Sequence, residues 1–125
     1  RLWAINDSGD GPILYMLNTW YDAPDQGPFY CPDCGIIEGF LIYNPKIKKK
    51  LDIIHVDFQR PRPIIIEALG EENQGSPVLV LPDDSVSFEG AKKSMSTGKA
   101  FIDDPITICN YLGREFGGIL PHPQD

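Results

Sequence analysis

Cys31 and Cys34, separated by Pro32 and Asp33, are the side chains whose type and spacing carry the plainest chemistry. In residues 35–43, which follow, apolar residues repeat at helical spacing, Ile36 with Phe40 and Ile37 with Leu41. Pro32 suits a first helical position, so Cys31 falls at a helix N-terminus. The partial positive charge there stabilises a thiolate, the form that attacks a disulfide. A second thiol three residues on lies within reach to resolve the mixed disulfide. Asp33 works against this, because a carboxylate between two thiols disfavours a further negative charge. Three other roles compete for the pair. They are a structural disulfide, half of a zinc site, and an inactive remnant. A zinc site needs two more ligands from Cys109, His55, His122 or carboxylates, and none of these has a second metal-ligand spacing.

Ser76-Pro77 is the second informative point. A proline opening a strand has no N–H for the ladder. A cis bond there, found at only ~5–6% of X–Pro bonds, would offer the backbone groups of Ser76 to a ligand. Asp103 and Asp104 precede the last helix, as caps or as ligand-binding carboxylates. Arg60 and Arg62 flank Pro61, as holders of a substrate carboxylate or as solvated helix-start residues. Cys109 sits on an apolar helix face and reads as core, His55 as a surface or edge residue, and His122 as part of a tail. Trp20, Tyr21, Phe29 and Tyr30 make the loop before Cys31 aromatic, either to cover that cysteine or simply to pack.

These residues need a scaffold, and the chain supplies its signals. Strands are expected at 13–18, 51–58, 78–81 and 100–102, with Ile54, Val56 and Phe58 on one side of the second. A further short strand is possible at 86–88. The loop between the first strand and Cys31, about twelve residues long, suggests a functional or lid segment. Asn44-Pro45 stops the first helix, and a second runs from Pro61 and Pro63 to Gly70. The last helix has Asp104 as N-cap, Pro105 as first residue and Gly117 as stop, with Ile108, Cys109, Leu112 and Phe116 on one face. The order is strand, helix, strand, helix, strand, strand, helix. It predicts an α/β domain with one mixed four-stranded sheet and helices on both faces. The opening unit should be parallel with a right-handed crossover, and the late pair antiparallel. The domain spans residues 12–120, with an uncertain leader at 1–11 and a tail at 121–125.

Composition bounds the rest. A chain of 125 residues makes about one domain. No apolar run approaches the ~20 residues that span a bilayer, so no membrane partner is expected. A net charge of −7 repels a phosphate backbone and argues against nucleic acid. The local exception, Lys46 and Lys48 to Lys50, suits a solvated helix end. Three cysteines are too few for a disulfide scaffold, and no secretory signal is visible, which gives a cytoplasmic expectation.

The Cys-x-x-Cys at a helix start, the proline opening the third strand and the element order together resemble the thioredoxin fold. Residues 99–113 are similar to the last strand and helix of glutaredoxins and to the N-terminal domain of glutathione transferases. Residues 30–41, 60–81 and 101–105 more closely resemble an uncharacterised bacterial thioredoxin-like family, a domain of unknown function. It has a Cys-x-x-Cys-x-x-Ile-Glu-Gly pattern followed by Pro-Arg-Pro and Gly-Glu-Glu-Asn-Gln. The glutaredoxin resemblance implies Cys31 as nucleophile, Cys34 as resolving thiol and Pro77 as a cis-proline. It also implies that Ser76 pairs its backbone with a thiol substrate, and that Asp103 and Asp104 lie at the γ-glutamyl end of glutathione. The chain departs from glutaredoxins in having Pro-Asp between the cysteines, Ser before the proline, and Phe101-Ile102 in place of Gly-Gly. The segment before Cys31 is also longer.

The resulting expectation is a glutaredoxin-like thiol–disulfide oxidoreductase acting on glutathione or a protein thiol. It requires no cofactor and no metal, with glutathione as a possible co-substrate. The alternative is a non-catalytic module that holds glutathione or a peptide with Ser76, Pro77, Asp103, Asp104 and Arg60. A third idea is a metal or cluster site shared by two protomers through Cys31 and a thiol ligand.

Overall fold

The computed structural model describes residues 11–84 and 87–123. Strand β1 (Ile13–Leu17) is built from an apolar run, and its three middle residues are buried. After the aromatic loop, helix α1 (Pro32–Tyr43) starts where Pro32 fits a first turn and ends at Asn44. A short helix, α2 (Pro45–Lys48), carries part of the basic run at its end. Strand β2 (Asp52–Val56) then pairs in parallel with β1, in the register Ile13↔Asp52 to Leu17↔Val56. Helix α3 (Pro63–Leu69) closes at Gly70, whose φ of 91° favours glycine. Strand β3 (Val78–Val80) runs antiparallel to β1. A two-residue strand β4 (Lys92–Lys93) and strand β5 (Ala100–Ile102) follow, antiparallel to each other. Strand β5 also lies antiparallel to β3. Helix α4 (Pro105–Phe116) ends the described fold, with Gly117 in the left-handed region at φ 71°.

The sheet order is β2-β1-β3-β5-β4, so it has five strands where the sequence predicts four. The added strand β4 belongs to a tight hairpin in which Ser94 N–H bonds Lys99 C=O at 2.8 Å and Gly98 N–H bonds Ser94 C=O at 2.9 Å. Both lysines are exposed on the outer edge, and no apolar alternation marks them as a strand. The strand proposed at 86–88 falls partly on Val86, outside the described residues. Ser87 and Phe88 are in no strand, and Phe88 instead meets Tyr111 edge-on, with ring centroids 5.2 Å apart.

Helices cover both faces. On one, α1 and α4 enclose Leu14, Met16, Leu79, Leu81 and Ile102. On the other, Ile65 and Leu69 of α3 pack on Tyr15, Val56, Val78 and Phe101. Two expected core positions differ. Ile36 is 42% exposed, because α1 turns Cys34, Ile37, Phe40 and Leu41 inward instead. Phe58 lies beyond the end of β2, out of the sheet. Among the described residues no helix is long and apolar enough to cross a membrane.

Buried Asn44 fastens the segment after α4 to the end of α1. Its Oδ1 accepts Ile119 N–H at 2.8 Å, and its Nδ2 donates to Ile119 C=O at 3.1 Å and to Phe40 C=O at 2.9 Å.

Candidate active site

Cys31 is the N-cap of α1, and its Sγ accepts the backbone N–H of Cys34 at 3.3 Å. This is an orphan donor of the helix's first turn, so the sulfur sits where the helix offers positive charge. Cys34 lies one turn deeper. Its Sγ accepts Leu17 N–H at 3.5 Å, which fixes it against the end of β1. Burial pushes the Cys34 thiol up to about 12, with Cys31 and Asp33 adding and Leu17 N–H opposing. Cys34 therefore stays protonated at neutral pH. Cys31 is 8% exposed, and both cysteines are free thiols.

Strand register brings the other predicted residues to the same end of the sheet. Tyr15 pairs with Val78, so Ser76 and Pro77 arrive beside the end of β1 that contacts Cys34. The Ser76-Pro77 bond is cis, as are Gly27-Pro28 and Arg60-Pro61. Ser76 Oγ donates to Tyr15 C=O at 2.9 Å. Strand β5 runs antiparallel to β3, so Asp103 emerges at this end as well. Asp103 pairs with Lys92 at 3.1 Å and shares a small pocket of about 160 Å³ with Arg60, Glu72, Asn73 and Gln74. Asp104 is occupied as a helix cap. Its Oδ2 accepts Thr107 N–H at 2.9 Å and Thr107 O–H at 2.8 Å, and these bonds hold the carboxyl below the usual carboxylate range.

Arg60 also lines a larger groove of about 660 Å³ with Asn18, His55, Asp57 and Arg62. His55 is exposed there, and Asp57 accepts an N–H from Asn18 at 3.1 Å. The aromatic loop folds back on itself through Trp20 and Phe29, which exchange backbone hydrogen bonds of 3.1 and 2.7 Å. Trp20 stacks on Phe58 with centroids 4.2 Å apart and planes 7° apart. Tyr30, though exposed, leans over Gly35, where an added Cβ would meet its ring at 3.3 Å. Cys109 is fully buried, and burial with help from Asp104 pushes it up to about 12. No cluster of three His, Cys, Asp or Glu side chains suited to a metal occurs among the described residues.

The residue that sequence reasoning undervalued is Arg62. It is 6% exposed, whereas Arg60 is exposed. Its Nη1 donates to Gln74 C=O at 2.8 Å, its Nη2 to Phe58 C=O at 2.5 Å, and its backbone N–H to Gln74 Oε1 at 2.8 Å. The only local signal was its place between Pro61 and Pro63, which fixes the backbone on either side.

No curated protein and no solved structure matches the chain. A family model described as "Protein of unknown function (DUF3088)" matches residues 11–119, and the chain therefore belongs to the DUF3088 family.

Proposed function

We propose that the chain is a thioredoxin-like thiol–disulfide oxidoreductase of glutaredoxin type. The observation that carries this reading is the Cys31 sulfur at the N-cap of α1, accepting the Cys34 N–H. The Cys31 thiolate attacks one sulfur of a substrate disulfide, forming a mixed disulfide and expelling the other sulfur as a thiolate, which takes a proton from water. Cys34 then loses its proton and attacks Cys31 Sγ. The Cys31–Cys34 disulfide forms, the second substrate thiol leaves, and two electrons have passed to the substrate. A low-molecular-weight thiol such as glutathione, or a protein dithiol, returns them. The chain works in a reducing compartment such as the cytoplasm, where this regeneration is favoured.

Substrate backbone pairs with Ser76 beside Pro77 as an added strand. A γ-glutamyl end would lie toward Arg60 and Asp103, near Asp104. The supporting features are the parallel β1-α1-β2 unit, the antiparallel β3–β5 pair and the convergence of these residues on one end of the sheet. The small polar pocket shared by Arg60 and Asp103 also favours a second reading, a module that binds glutathione or a peptide without turnover.

Coupled reduction of a glutathione mixed disulfide separates the two. Cys31→Ser is expected to bring the rate to the uncatalysed background, while Cys34→Ser retains turnover of a small mixed disulfide. An unchanged rate in Cys31→Ser rules out the oxidoreductase. Glutathione binding that persists in Cys31→Ser without any turnover by the native chain supports the module.

A further inference from the structure

We propose that Arg62 is the positioning cation of this site, stabilising the ionised Cys31 sulfur; the proposal rests on Cys31 being the nucleophile. Arg62 is a buried charge without a counter-charge among the described residues. Among the described residues its guanidinium meets two carbonyls and the face of Phe58 at 5.8 Å, but no carboxylate, and its buried Nε has no hydrogen-bond partner. A buried cation left this way is costly unless an anion completes it.

The groups that hold Arg62 all belong to the thiol end of the sheet. Phe58 follows β2, whose last residue Val56 is paired with Leu17, the donor to Cys34. Phe58 also stacks on Trp20, which meets Phe29 two residues before Cys31 at a centroid distance of 6.3 Å. Gln74 lies two residues before Ser76. The side chain is thus clamped between the strand ends against which Cys34 is fixed and the segment that leads to Pro77. The charged and titratable groups acting on Arg62 are Arg60, which disfavours its charge together with burial, and Cys31 and Cys34, which favour it. His55 and Asp57 line the same groove as Arg62, with the Asp57 carboxylate accepting an Asn18 N–H at 3.1 Å. With Cys34 held protonated, the Cys31 thiolate is the anion assigned to Arg62, and Asp33 is exposed in the first turn of α1.

The test is the rate of iodoacetamide alkylation of Cys31 against pH in a Cys34→Ser background. Arg62→Gln should move the midpoint upward and slow alkylation at pH 7 about tenfold, the effect of one unit. Arg62→Lys, which keeps the charge, should restore the rate to within about threefold, since a difference of half a unit is tolerable. An unchanged profile in Arg62→Gln, or a loss in Arg62→Lys as large as in Arg62→Gln, overturns the proposal. If Arg62→Gln does not fold, the native sequence still decides. The Arg62 Nε–H resonance should titrate with the alkylation midpoint and lose that titration in Cys31→Ser; a resonance that does not move overturns the proposal. Disulfide turnover by the native chain is measured alongside. Coupling without turnover sinks the oxidoreductase and leaves the Arg62–Cys31 pair standing. Cys31-dependent turnover without coupling sinks only the role of Arg62.

Discussion

Burial decides the ionisation of two of the three thiols, and each makes stability depend on pH. Cys34 and Cys109 are both pushed up to about 12, whereas a solvated thiol in the unfolded chain ionises near ~8.5. Between those limits the unfolded chain has released protons that the folded one still holds, so raising the pH favours unfolding. This stabilisation is complete below the unfolded value and is lost as pH climbs toward the folded one. Urea unfolding of native protein at pH 8 and pH 10 should therefore show a loss that exceeds that of Cys109→Ala by up to about 2 kcal/mol. Equal losses would mean that the Cys109 thiol ionises freely in the folded state. At this scale the sequence was informative about the thiols and silent about Arg62. A Cys-x-x-Cys pair is visible in four letters, and Cys109 is flagged by its apolar helix face. The burial of Arg62 depends on Phe58 and Gln74, four and twelve positions away, and nothing local distinguishes it from exposed Arg60.

At the scale of elements, helix α4 was legible to the residue because its ends are encoded locally. Asp104 caps it, Pro105 opens it and Gly117 closes it in the left-handed region. Asp104→Ala should cost about 1 kcal/mol of stability, and Asp104→Ser should recover most of that, since a hydroxyl can also accept the Thr107 N–H. Chemical denaturation checks the energies, and glutathione affinity checks the rest. A binding loss in Asp104→Ser at full stability would assign the carboxylate to a ligand as well as to the cap. Strand β4 was not legible. Two lysines have no β signature, and they become a strand only because the Ser94–Lys99 turn folds them against Phe101 and Ala100. The inward face of α1 was half legible. Ile36 has the right spacing but lies to the outer side of a helix whose contact face is set by Cys34 and Ile37.

At the scale of the whole molecule, crossing directions gather the chemistry. Strand β1 and its parallel neighbour β2 end where β3 begins and where β5 delivers Asp103, so residues far apart in sequence reach one end of the sheet. The element order was enough to predict the parallel opening unit and the antiparallel late pair. The opposite end of the molecule is held by Asn44. Asn44→Ala would leave the Ile119 N–H and C=O and the Phe40 C=O without that partner, at a cost of about 2–3 kcal/mol. Hydrogen exchange at the Ile119 amide should accelerate in the same variant, and unchanged protection there would show that apolar contacts of Leu120 hold the segment unaided.

The lysine-bearing edge has a consequence for self-association. A sheet grows when a free ladder of N–H and C=O groups accepts another chain, and such growth is the route to fibrils. Here that ladder is two residues long and guarded by Lys92 and Lys93, so a second copy approaching in register would bring lysine against lysine. Sheet extension from this side is therefore disfavoured by charge and by length together, which leaves the five-residue β2 as the longer of the two sheet edges.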